Sequence, residues 1–189
     1  MVTFTFYGQV MDCEEMDDES LNQQLSEIYK SLENEVYISQ KMDKSALKQQ
    51  QFDRIKSLED EGLVDFYFRL SYSMKEDHGP SFFLDLVLNF LHDARTVMQH
   101  MATALESPVV NFDVLNGHCI KLKGGSSCIG ACKIAKECYV FIRAIDNKSK
   151  DGCLQALRNI KREYHDLQSK LEGVIQLEKE IVTAESSKS

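Results

Sequence analysis

"FFLDLVLNFLHDARTVMQHMATAL", residues 82–105, decides the fold class. Phe83, Leu86, Phe90, Ala94, Val97, Met101 and Leu105 recur at intervals of three and four, so an α-helix sets all seven on one face. A stripe of that kind must be buried, and the same period runs on both sides of it. Upstream, one helix is expected over about 46–60, ending at Gly62, a residue suited to the left-handed position beyond a helix end. "LVDFYFRLSYSMKE" (63–76) gives a second, short helix. Gly79-Pro80 then breaks the chain, and Pro80 suits the first turn of the helix that follows. Pro108 ends that helix.

Downstream, a helix starting near Asn111 carries Phe112, Leu115, Cys119, Leu122, Ser126 and Ile129 on one side. Gly130 interrupts it, and a further helix presents Ile134, Cys138, Phe141 and Ile145. "DNKSKDG" (146–152) is a turn. The last helix spans about 152–182, with Leu157, Ile160, Tyr164, Leu167, Leu171, Val174 and Ile181 as its stripe. No strand pattern competes with this period. The expected fold is all-α: an antiparallel four-helix bundle with additional N-terminal helices. Residues 46–182 form the bundle, 1–45 an extension and 183–189 a loose tail.

Composition agrees. The 189 residues include only two prolines and nine glycines, which favours long helices, and 43% are hydrophobic, enough for a core. The net charge of −8 argues against nucleic acid as a partner, because phosphate binding needs a basic surface. No apolar run approaches the ~20 residues of a membrane span. The start "MVTFTFYGQV" lacks the basic opening of a signal peptide. The six cysteines form no CxxC pair, so they read as reduced, mostly core thiols in a reducing compartment. These features together lead us to expect a soluble intracellular protein.

The extension contains an acidic run, "MDCEEMDDES" (11–20), of a composition common in solvated, poorly ordered segments. It also contains a repeat. "SLNQQLSEIYKSLENE" (20–35) returns as "ALKQQQFDRIKSLEDE" (46–61), with eight identities in sixteen positions. Two units are too few for a solenoid. The spare copy has three fates open to it: packing outside the bundle, exchange into a second molecule to make a dimer, or mobility.

"HCIKLKGGSSCIGA", residues 118–131, carries the candidate chemistry. Taking Leu122 as the centre of the buried stripe and about 100° per residue, His118 lies roughly 40° away, on the flank of the core. Ile120 lies about 160° away and faces solvent, with Gly124 and Ser127 on the same outer face. Lys121 and Lys123 flank the exposed isoleucine. Gly124 and Gly125 together cost a helix about 1–2 kcal/mol. That cost makes sense where another protein approaches the backbone closely. His78, His92, His100 and His165 sit on unrelated segments, and nothing assembles them into a metal site.

These residues resemble a known family. "LKGGSSCIGA", the segment from "CYVFIRAIDNKSK" to "LEKEIV", and the upstream "GLVDFYFRL" and "FFLDLVLNFLHDAR" are similar to plant histidine-containing phosphotransfer proteins over about 46–182. The family's motif reads His-Gln-x-Lys-Gly-Ser-Ser-x-Ser-Ile-Gly-Ala, and its first histidine passes a phosphoryl group between receiver aspartates. Lys123, Gly124, Ser126, Ile129, Gly130 and Ala131 fall on matching residues. Ile120 falls on the acceptor histidine, Lys121 on the glutamine, and Gly125 and Cys128 on serines. His118 falls where many members have a second histidine that is not phosphorylated.

The resemblance implies a pseudo-phosphotransfer protein. It would dock on the receiver domains of hybrid histidine kinases and response regulators through Ile120, Lys121, Lys123, Gly124 and Ser127. It would catalyse nothing, need no cofactor, and restrain a cytokinin-type phosphorelay from the cytoplasm and nucleus as a monomer. The alternative is an active relay intermediate that uses His118.

Overall fold

The computed structural model describes residues 3–6, 9–12 and 44–186. The chain divides into two compact units, Met1–Lys41 and Met42–Ser189. In the first, strands β1 (Thr3–Phe6) and β2 (Gln9–Asp12) pair antiparallel, with Thr3 opposite Asp12 and Phe6 opposite Gln9. The sequence reading expected no strand. The Thr-Phe-Thr-Phe alternation of β-branched and aromatic residues is a strand pattern only four residues long, easily passed over beside the long helical periods. Met11 and Asp12, the start of the acidic run, belong to β2. The spare copy at 20–35 lies outside the described residues, as does Cys13.

Helices are the only regular structure among the described residues of the second unit. Helix α1 (Lys44–Asp60) ends at Gly62, whose φ of +65° makes it the left-handed cap expected there. Helix α2 (Phe66–Ser73) follows, capped by Asp65, whose carboxylate accepts from the Tyr67 N–H at 2.9 Å. The single turn α3 (Lys75–His78) stops at Gly79, φ +99°. Helix α4 (Phe82–Glu106) begins two residues beyond Pro80, with Ser81 as its N-cap, so the proline precedes the helix instead of lying in its first turn.

Helix α5 (Phe112–Ile129) starts at Asn111, whose side chain accepts from the N–H groups of Asp113 and Val114. It ends at Gly130 in the left-handed region. Helix α6 (Cys132–Asp146) and the long α7 (Lys150–Ser186) complete the unit, the latter running four residues past the expected end at 182. Short connections make successive neighbours antiparallel. Helix α4 packs on α5, α5 on α6, α6 on α7, and α7 back on α4, closing a four-helix bundle; α1 lies along α7.

The buried stripes match the periodicity closely. Phe83, Phe90, Ala94, Val97, Met101 and Leu105 of α4 meet Leu115, Cys119, Leu122 and Ile129 of α5 in one core with Ile134, Phe141, Ile160, Leu167 and Leu171. Leu86 and Phe112, expected inside, are only partly buried, while Val87, Leu91 and Met98 join the core. Tyr164 is 2% exposed and donates its hydroxyl to the Leu91 carbonyl at 2.9 Å, so the ring fills the core without orphaning its polar end. The thiols divide. Cys119, Cys138 and Cys153 are buried, Cys132 is half-buried and Cys128 is exposed, so the core reading fails for Cys128.

One polar cluster is buried where α1, α3 and α7 meet. Glu178 pairs with Lys75 at 2.9 Å and accepts from Gln51 Nε2 at 3.1 Å. Gln51 also donates to the Val174 carbonyl at 2.8 Å. The Lys75 ammonium stands 4.1 Å from the Tyr72 ring centroid. These contacts anchor α1 and α3 to the far end of α7.

Candidate functional site

The candidate site is the outer face of α5. Its inward face is fixed by Leu115, Cys119, Leu122, Ser126 and Ile129, each at most 3% exposed. With those residues inside, the helix turns Ile120 outward, 51% exposed. Lys121, Gly124 and Ser127 are exposed beside it, and Lys123 is half-buried. The Lys123 ammonium stands 4.5 Å from the ring centroid of Tyr139, an exposed residue of α6, so an aromatic ring of the neighbouring helix borders the lysines of α5.

Gly117 and Gly124 lie on this face, and Gly125 lies towards α4. A Cβ at Gly117 or Gly124 would meet nothing within 4 Å, and one at Gly125 would touch only Phe90 Cδ2, at 3.9 Å. The fold therefore requires glycine at none of them, although each costs the helix about 1 kcal/mol relative to alanine. Gly130 is different. With φ +78°, its added Cβ would lie 2.5 Å from Asp65 Oδ1 and 2.7 Å from the Phe68 nitrogen. The Gly130 carbonyl accepts from the Asp65 N–H at 2.9 Å, so this glycine locks the α5–α6 corner onto the start of α2.

The imidazole nearest the patch is turned away from its centre. His118 is half-buried, and its ring centroid lies 5.4 Å from that of His100 on α4. The side chain that could act as a nucleophile thus lies in the α4–α5 groove, while a hydrocarbon occupies the middle of the exposed face. Behind it, the Cys119 thiol donates to the Cys138 carbonyl at 3.4 Å. The neighbouring Cys119 thiol, and then burial, push the Cys138 thiol above its ordinary range.

A small cavity of about 210 Å³ opens between α4 and α5, lined by Phe90, Asp93, Ala94, Val97, Lys121, Leu122 and Gly125. Sequence reasoning missed this groove, and it missed Gly117 and Tyr139. The α4 residues at 90, 93, 94 and 97 share one helical face with His100, a signal visible only once α4 and α5 are known to be neighbours. Among the described residues, no group of three or more His, Cys, Asp or Glu is arranged to hold a metal. Among the same residues, no helix is long and apolar enough to cross a membrane.

Comparison with known proteins sets this geometry in context. No protein-family model matches the chain. It is 38% identical over 122 residues to histidine-containing phosphotransfer protein 2 of Oryza sativa subsp. japonica, spanning 64% of this chain and 82% of that one. It is 29% identical over 121 residues to pseudo histidine-containing phosphotransfer protein 2 of the same species, spanning 64% of this chain and 80% of that one. The X-ray structure of a histidine-containing phosphotransfer protein from rice matches with a TM-score of 0.70 at 35% identity, covering 74% of this chain and 99% of that chain.

Proposed function

The chain belongs to the histidine-containing phosphotransfer proteins of plants, and we propose that it is a member that docks on receiver domains without accepting phosphate. The observation that carries this reading is Ile120, 51% exposed at the centre of the outer face of α5. Phosphoryl transfer through histidine needs a ring nitrogen in line with the aspartyl phosphate of the donor. Isoleucine has no lone pair to offer. His118, half-buried against His100, lies on another side of the helix, and a misplacement of about 1 Å already costs about 100-fold in rate.

Docking survives the loss of chemistry. Receivers present an acidic pocket around their phosphorylatable aspartate. Lys121 and Lys123 beside an exposed Ile120 supply charge to steer the encounter and apolar surface to hold it. Such a protein withholds the receivers of hybrid kinases and response regulators from active transfer partners, and so restrains a cytokinin-type relay. It needs no cofactor and works in the cytoplasm and nucleus, as a monomer unless the 20–35 segment pairs two copies. Its strength follows mass action. The test is a reconstituted relay of kinase, active phosphotransfer protein and response regulator. Inhibition that grows with added chain and is relieved by more active partner supports the reading; an unchanged rate at every ratio contradicts it.

A second reading is favoured by one observation: the relative at 38% identity carries the phosphotransfer name without the pseudo prefix, while the pseudo relative stands at 29%. In that reading His118 rotates outward and carries phosphate. Radiolabel on His118, lost in His118→Gln, would establish it.

A further inference from the structure

We propose that His100 and His118 together form a site for one divalent transition-metal ion of the zinc class, held between α4 and α5. The five histidines sit on separate stretches of the sequence, and the fold brings these two together. Their ring centroids stand 5.4 Å apart, with the planes inclined at 47°. His100 is exposed and His118 half-buried, so the pair opens to solvent. Burial of apolar surface therefore gives little reason for the two rings to approach.

The spacing has the size that a shared ion requires. An ion about 2.0–2.1 Å from one nitrogen of each ring, at a tetrahedral angle, sets the two ring centres about 5 Å apart. Neither imidazole has a hydrogen-bond partner among the described residues, which leaves ring nitrogens on both to coordinate. The helices that carry them are fixed from inside, α4 by Val97 and Met101 and α5 by Cys119 and Leu122, all buried. Packed helices on both sides hold the pair in place, as a metal site asks.

The donors select the ion. Within four residues of either histidine on its own helix there is no carboxylate, and the one charged side chain is Lys121, which is exposed. Magnesium and calcium take oxygen ligands and are disfavoured here. Imidazole suits Zn²⁺, Ni²⁺ and Cu²⁺ instead. Two protein ligands leave the remaining positions to water, so affinity stays well below that of a four-ligand structural zinc. A bound ion ties α4 to α5 and holds the His118 imidazole in the groove, off the outer face. The site is independent of receiver docking.

The experiment titrates the reduced, chelator-stripped full chain with Zn²⁺ alone at pH 7.5, by calorimetry and thermal melts, with Mg²⁺ as a parallel titrant. Wild type at about 100-fold excess of Zn²⁺ over its Kd should melt about 5–10 °C higher than without metal. His100→Ala and His118→Ala should each lose at least about tenfold in affinity. His92→Ala and Cys128→Ser, outside the site, should bind like wild type. His100 is exposed, so its loss spares the fold, and metal-free melts check each variant. Zinc binding that survives either His100→Ala or His118→Ala, falls in Cys128→Ser, or is matched by Mg²⁺ overturns the site. So does a wild-type melt that zinc leaves unmoved. Zinc that dimerises the wild-type chain but not His100→Ala, read by sedimentation, places the ion between two copies and overturns the clamp within one.

Discussion

His118 and His100 face each other across the α4–α5 groove with their ring centroids 5.4 Å apart, while Ile120, two residues along, stands in solvent. A histidine so placed packs; it is not presented. His118→Ala should therefore leave receiver affinity within about twofold of wild type and lower stability by about 1 kcal/mol, the usual size for a half-buried contact. Calorimetric titration and chemical denaturation check the two halves separately.

Gly130, the cap just beyond α5, is a position where the fold demands glycine. Alanine there would bear a left-handed backbone, which costs about 1–2 kcal/mol for a residue with a Cβ, and would overlap Asp65 and the Phe68 nitrogen as well. We expect Gly130→Ala to lower the melting temperature by at least about 4 °C, at about 2–4 °C per kcal/mol for a chain of this size. Gly124→Ala, where nothing is met, should raise it. Paired thermal melts decide.

The Lys75–Glu178 pair is buried, with the two side chains 10% and 0% exposed. Removing one partner strands the other's charge, so Glu178→Ala should cost about 3–5 kcal/mol. Lys75→Met with Glu178→Leu should recover much of that loss, because the desolvation cost goes with the charges. A double-mutant cycle in urea measures the coupling.

His165 on α7 has its pKa lowered, first by burial and then by the nearby charges of Lys161 and Arg95. Protonation therefore disfavours the folded state, and the unfolded chain takes up the proton first. This contribution to stability is whole above about 6.5, the ordinary histidine value, and is lost as pH falls from there through the lower folded pKa. His165→Asn should flatten that part of the stability–pH curve, read from denaturation midpoints between pH 7.5 and 5.

Much of the bundle was legible because its determinants are local. Periodicity names the stripes, and Gly62, Gly130 and Asn111 mark helix ends through backbone preferences that need no partner. The outward position of Ile120 follows from counting residues away from Leu122. What escaped depends on pairing across the chain. Gln51 and Glu178 are far apart in sequence, and nothing local marks either as buried. Tyr139 comes to border the lysines of α5 only through the α5–α6 packing that brings it under Lys123. The groove at Phe90 needs two helices to exist. Leu86 and Val87 exchanged places for a smaller reason: adjacent residues on a broad stripe differ by about 100°, and neighbouring helices decide which is covered.

The measurement that bears most directly on the central claim is phosphate transfer from a labelled receiver domain to the wild-type chain and to Ile120→His, each at equal concentration. The account predicts no label on wild type and acid-labile label on Ile120→His, since the outer face of α5 then carries a nucleophile where it now carries a hydrocarbon. Stable label on the wild-type chain would contradict it.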